Sequence, residues 1–237
     1  MTTTRAHMAS FPARHALMLG AVARLAPQVD RLYICLNEYQ TVPRELSAHT
    51  NVTAVIPDRD LKDLGKFMFP VDDEDLVFLV DDDITYPADY VAETARKTRH
   101  VGLDGNAFSY VGTAQQFDLS LRKTGTADYF FGQAVPRLMG VDILGTGAAC
   151  LSGRHMPPLD YMAGAARMAD LRFSRWIFET GLRGWLLPRT ARYLMHDLPP
   201  DLAAGSIFQS FTRHQPVEMK REMRAFYARA KHVARLI

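Results

Sequence analysis

The run LVFLV, Leu76 to Val80, followed at once by Asp81, Asp82 and Asp83, constrains this chain more than any other stretch. Five apolar residues without a polar interruption describe a strand buried on both faces, as in a parallel sheet covered by helices. The three aspartates then fall at the carboxyl end of that strand. In open α/β sheets, this is the edge where ligands bind.

The flanking sequence supports an α/β fold. A short strand over His7 to Ser10, a helix over Ala13 to Leu25 and the apolar run Arg31 to Leu36 make a βαβ opening, and Asn51 to Ile56 adds a further strand. After Pro87, Asp89 is placed to start a helix with Tyr90, Val91 and Ala95 facing inward. Residues 102 to 141 show poor periodicity and many aromatics, including Phe108, Tyr110, Phe117, Tyr129, Phe130 and Phe131, which reads as two strands and a long substrate loop. VDILGTGAACLS reads as a strand broken by a Gly-Thr-Gly turn. MADLRFSRWIFETG reads as a helix ending at Gly181, and WLLPRTARYLMHD as short strands that leave His196 and Asp197 at a terminus.

Composition narrows the function. A net charge of +2 is too small for a general nucleic-acid binder, so no nucleic acid is expected as partner. MTTTRAHMASFPAR has no apolar signal-peptide core, and no apolar stretch is long enough to span a bilayer, which predicts a cytoplasmic protein. Cys35 and Cys150 both lie in apolar runs and read as buried thiols.

Crowded carboxylates repel and, if desolvated, favour the neutral form, whereas a divalent cation removes that penalty. Mg²⁺ or Mn²⁺ suits oxygen ligands and completes its shell with water and phosphates. In an extended segment Asp81 and Asp83 would point one way and Asp82 the other. A solvated turn with capping roles is the alternative. An EF-hand is excluded because the spaced acidic pattern and terminal Glu are missing; so are a Walker A loop and a GxGxxG fingerprint. In LGTG, Gly145 and Gly147 would let backbone approach a ligand and Thr146 offers a hydroxyl, unless the segment is only a tight turn or bulge.

VFLVDDDITYPADYV resembles the DxD segment of GT-A glycosyltransferases, in particular bacterial polysaccharide enzymes of the family 2 type. Along the chain MASFPAR, LYICLN, DLKDLGKF, LGTGAA and MADLRF appear in the order expected for that fold, over roughly the first 200 residues. Exostosin-like transferases are a weaker resemblance. The resemblance implies a GT-A, Rossmann-like mixed sheet flanked by helices over residues 1–200. It implies a metal-dependent enzyme moving a hexosyl or N-acetylhexosaminyl group from a nucleotide-sugar, of the UDP class, to a glycan or lipid-linked acceptor in surface polysaccharide synthesis, with inversion favoured over retention.

Carried over by position, Asp83 is the main ligand of Mn²⁺ or Mg²⁺, Asp81 shares the metal or lies near the ribose, Asp82 supports them, and His196 is a further metal ligand. Ser10, Pro12 and Arg14 would meet the base and ribose, Asn37 and Asp60 the nucleoside, and Lys66 the diphosphate. Asp170 would be the general base, at a helix start where the dipole favours its ionised form, with an ordinary helix cap as its alternative role. A sugar nucleotidyltransferase is a competing reading, though SFPAR poorly matches the Gly-rich basic loop it needs. A non-catalytic nucleotide or carbohydrate module of the same fold is another.

From Pro216 the tail repeats apolar residues at helical spacing, with a basic opposite face, so residues 201–237 read as a basic amphipathic helical extension. It would either dock on the core or lie against anionic lipid at the inner membrane face, and Arg213 and His214 would be free to close over the diphosphate.

Overall fold

The alternation of the apolar run at 76 to 80 decides the architecture. In the computed structural model, which describes residues 2–118, 123–196, 198–199 and 217–233, this run is strand β4 (Leu76–Asp81). Phe78 and Val80 pack into one apolar cluster and Val77 and Leu79 into another, on opposite faces of the sheet. All four are fully buried, which is why no polar residue interrupts the run.

Around it the chain forms β1 (Thr4–Ser10), α1 (His15–Leu25), β2 (Arg31–Leu36), β3 (Val52–Val55), β5 (Ile84–Thr85), α2 (Tyr90–Thr98), β6 (Asn106–Ser109), β7 (Gly112–Asp118) and β8 (Lys123–Tyr129). Then follow β9 (Met139–Gly140), β10 (Ile143–Leu144), β11 (Ala148–Ser152), α3 (Leu159–Met162), α4 (Ala169–Glu179), β12 (Arg183–Leu186), β13 (Met195–His196) and α5 (Val217–Val233). The main sheet has eight strands in the order β3-β2-β1-β4-β11-β6-β12-β9. β1 pairs in parallel with β2 and β4, whereas β11 runs antiparallel between β4 and β6. This is a mixed α/β fold, a large sheet flanked by helices and compatible with a Rossmann-like arrangement.

One face is covered by α1, through Met18, Val22 and Leu25, and by Tyr90 and Val91 of α2. The other is covered by Met162 of α3, by Phe173 and Ile177 of α4, and by Leu64 and Phe67 of a 3₁₀ turn at Lys62–Phe67. From β1 the chain builds outward through β2 and β3, then returns to place β4 on the other side of β1. The carboxyl ends of β1 and β4 therefore flank the switch point of the sheet, the place where diverging loops form a ligand crevice in open α/β sheets.

The region 102 to 141 departs from expectation. It supplies two strands to the main sheet, β6 and β9, and a hairpin, β7–β8, that joins β10 in a three-stranded sheet. Phe108 and Tyr110 are fully buried, so part of the aromatic content that suggested a long substrate loop is core. Asp89 does precede α2, but its side chain makes no capping hydrogen bond. Cys35 and Cys150 are free and buried; burial, with the nearby Asp60 carboxylate, pushes the Cys35 thiol up to about 12.

α5 docks on α4. Arg172 donates to Glu222 at 2.9 Å through Nε, Arg175 adds a contact of 3.4 Å, and the Phe178 and Phe226 rings lie 6.1 Å apart. Phe226 is buried, while Lys220, Arg221 and Arg224 face solvent. Asp197, Arg213 and His214 lie outside the described residues. No described helix is long and apolar enough to cross a membrane.

Candidate functional site

β4 ends at Asp81, and Asp82 and Asp83 form a turn into β5. The extended alternation expected of the triplet is therefore broken. Asp81 is turned to Lys66, whereas Asp82 and Asp83 share Arg14 and each of these two has a second partner of its own.

Asp82 points inward. It accepts from the Ser10 hydroxyl at 2.6 Å and from Arg14 Nη1 at 2.8 Å. Burial pushes its pKa up to about 6 against the pull of Arg14, with the neighbouring Asp83 charge adding to the rise. Asp83 is also buried, and its Oδ2 meets both Arg14 Nη1 at 2.8 Å and His196 Nε2 at 3.1 Å. Burial alone would raise Asp83, but the His196 hydrogen bond and the Arg14 charge outweigh it and hold the carboxyl below its usual range. The bond to Asp83 raises His196 in return. Pairing of β13 with β5 sets His196 opposite Ile84, and the Phe131 ring stacks on the imidazole with an interplanar angle of 3°.

Asp81 faces the other side of the crevice. Its carboxylate is paired with the ammonium of Lys66, a side chain that is itself buried and also donates to the Thr146 carbonyl at 3.2 Å. Burial would lower the pKa of Lys66, yet the Asp81 charge keeps it raised. Lys66 is thus a fixed cation in the floor of the site, already paired with Asp81 where the sequence placed it at the diphosphate. The Asp81 amide donates to the Tyr86 hydroxyl at 2.8 Å, and that hydroxyl donates to the Gly147 carbonyl at 2.6 Å.

Because β11 is antiparallel to β4, its first residues arrive where β4 ends, and the loop Gly145–Gly147 enters the same crevice. Gly147 lies directly under the Asp81 carboxylate: an added Cβ would collide with Oδ2, fall 2.9 Å from Cγ and come within 3.2 Å of Ile84 Cδ1. Gly147→Ala should therefore cost about 1–3 kcal/mol by overpacking. Urea denaturation measures it, and an unchanged midpoint would refute the contact. Gly145 is needed for another reason, since a Cβ there would sit 2.9 Å from Val111.

Asp170 lies at the second position of α4. Met168 occupies the cap position without a side-chain bond, and the helix start is capped from elsewhere: Asp63 accepts from the amides of Arg167 at 2.6 Å and Ala169 at 3.2 Å. Asp170 is thereby relieved of capping. Its Oδ1 accepts from the Thr146 amide at 2.8 Å and hydroxyl at 2.6 Å. The surrounding protein raises the pKa of Asp170 by removing it from bulk water, against these two bonds, although the residue keeps an exposed face.

Ser10, Arg14, Lys66, Asp81, Asp82, Asp83, Thr146, Gly147, Asp170 and His196 are thus joined through two networks at one sheet edge. Asn37 and Asp60 are engaged elsewhere. Asn37 is buried and clamps the turn at 61–62, bonding Lys62 O and the Leu61 amide, each at 2.9 Å. Asp60 closes the same turn onto the Lys62 amide at 2.9 Å. Pro12 is exposed and starts a 3₁₀ turn that leads Arg14 inward. Tyr86 and Asp63 went unrecognised in the sequence, although both lie in segments already singled out, TYP and DLKDLGKF.

The expected metal trio is not gathered in this conformation. Among the described residues no group of three His, Cys, Asp or Glu is placed to hold a metal, because Asp81 turns to Lys66. Asp83 and His196 do face each other, and an oxygen and an imidazole nitrogen fit Mn²⁺ or Mg²⁺ when phosphates and water fill the remaining positions.

No protein-family model and no curated protein matches the chain. Among solved structures, the crystal structure of A197 from STIV is similar over 85% of this chain and 92% of that one, at 12% identity and a TM-score of 0.43. A likeness this distant says nothing of activity.

Proposed function

We propose that the chain is a metal-dependent glycosyltransferase of the GT-A type, moving a sugar from a UDP-class nucleotide-sugar to a hydroxyl of a glycan or lipid-linked acceptor, with inversion. The observation that carries the reading is the meeting of the Asp83–His196 pair, the buried Lys66 and the exposed face of Asp170 at the carboxyl edge of β4.

In this reading Asp83 and His196 hold Mn²⁺ or Mg²⁺, which when bound would offset charge on the departing diphosphate. Lys66 and Arg14 offset the charge of the carboxylate cluster and hold it in place, so that little rearrangement is needed when the anionic donor enters. Asp170 accepts the acceptor's proton as the hydroxyl oxygen bonds to the anomeric carbon. The electron pair of the broken carbon–oxygen bond leaves with the nucleoside diphosphate. The exposed Lys220, Arg221 and Arg224 on α5 would add attraction to an anionic membrane carrying a lipid-linked acceptor, as expected for bacterial surface polysaccharide synthesis at the inner membrane face.

Calorimetric titration of nucleoside diphosphates with Mn²⁺, with Mg²⁺ and with chelator tests the reading. UDP should bind only with metal, and Asp83→Ala should weaken it by about 100-fold or more. Equal binding by the variant, or no metal-dependent binding of any nucleotide, would overturn the proposal.

A further inference from the structure

We infer that Thr146 is a positioning residue for Asp170, holding one carboxylate oxygen so that the other alone meets the acceptor hydroxyl; the inference rests on Asp170 as general base. The sequence suggested a donor contact for the Thr146 hydroxyl. In the structure Thr146 is buried, and both its hydroxyl and its amide are committed to Asp170 Oδ1, at 2.6 and 2.8 Å. Both hydrogen bonds that the Asp170 carboxylate accepts among the described residues fall on Oδ1, and the residue is exposed.

Two further contacts support the assignment. Asp63, bonded to the Arg167 and Ala169 amides, does the capping that would otherwise draw the Asp170 carboxylate toward its own helix. On the opposite side of Thr146, its carbonyl accepts from the Lys66 ammonium, which is paired with Asp81. Thr146 is thus the bridge between the donor side of the crevice and the base. The charged groups acting on Asp170 are Lys66 and Asp63 from the 3₁₀ turn and Asp81 from β4. Lys66 favours its ionised form, and the two carboxylates oppose it.

Thr146→Val keeps the shape and the amide but deletes the hydroxyl; Thr146→Ser returns it. Carboxyl carbons of ¹³C-labelled aspartate are titrated by NMR without ligand, with the Asp170 signal assigned from Asp170→Asn. In Thr146→Val the Asp170 carboxyl should titrate about one unit higher, because a hydrogen bond to its charged form is gone, and Thr146→Ser should restore it. In the transfer assay the acid limb of kcat should move by the same amount and kcat should fall about tenfold or more, with the donor KM changed less than about twofold.

Coincident titrations in wild type and Thr146→Val would overturn the inference whatever the activity. A displaced titration with no transfer by the wild type would leave the contact standing but remove the base, and with it the role given to Thr146. A displaced titration with an unmoved kcat profile would likewise overturn that role.

Discussion

Arg14→Met should destabilise the protein by about 3–5 kcal/mol at pH 8. The guanidinium is the cation that meets two buried carboxylates, and the side chains of Asp82 and Asp83 are only 2% and 6% exposed. Methionine fills similar space, so the loss reflects charge and hydrogen bonding more than volume. Burial already pushes the Asp82 carboxyl up to about 6 with Arg14 present. Its folded pKa lies above the value of roughly 3.9 expected for an unfolded aspartate, so the folded state holds the extra proton between those values and stability falls as pH rises through the window. Without Arg14 the folded pKa rises further and the window widens upward. The variant should therefore be closer to wild type at pH 5 than at pH 8, as urea denaturation in chelator will show; a cost below 1 kcal/mol at pH 8 would contradict the structure.

The second large effect has the opposite sign. His7 is fully buried on β1 between the rings of Tyr33 and Phe69, and its Nδ1–H donates to the Lys66 carbonyl at 3.0 Å, while buried Nε2 has no partner among the described residues. Burial, outweighing that bond, lowers its pKa to about 4. Below roughly 6.5 the unfolded chain takes up a proton that the folded chain refuses, so stability is lost as pH falls from about 6.5 to 4, by about 3 kcal/mol in all.

His7→Phe removes this loss. The stability of the variant minus that of wild type should rise by about 3 kcal/mol between pH 7 and pH 4. A difference independent of pH would show that His7 is not the buried neutral imidazole described. In wild type the gain from Asp82 and the loss from His7 overlap between pH 4 and 6 and largely cancel. Each becomes visible only when the other is removed or compared against.

Much of this was legible because burial writes itself into the sequence. The unbroken run at 76 to 80 announced a strand covered on both faces, and Arg31–Leu36 has the predicted bounds. The three aspartates do lie at the carboxyl end of that strand. Their side-chain directions were not legible, since a turn beginning at Asp82 ends the two-residue alternation, and Asp81 finds Lys66 only through tertiary packing. The capping of α4 by Asp63 was equally hidden: the acceptor lies more than a hundred residues from the amides it serves. Residues 102 to 141 misled for a different reason, as Phe108 and Tyr110 carry no mark distinguishing a core ring from an exposed one.

The reversed direction of β11 has a consequence for how the protein comes into being. Asp81 and Gly147 become neighbours because one strand leaves and another enters at the same edge, and three other contacts close loops of similar or greater length: 72 residues from Ser10 to Asp82, 80 from Lys66 to Thr146, 113 from Asp83 to His196, beside shorter closures of 15 from Lys66 to Asp81 and 24 from Thr146 to Asp170. Contacts of such separation incur their loop-closure entropy before they are rewarded. No local hairpin or single βαβ unit holds even half of the crevice, so its assembly reports completion of the whole sheet during folding.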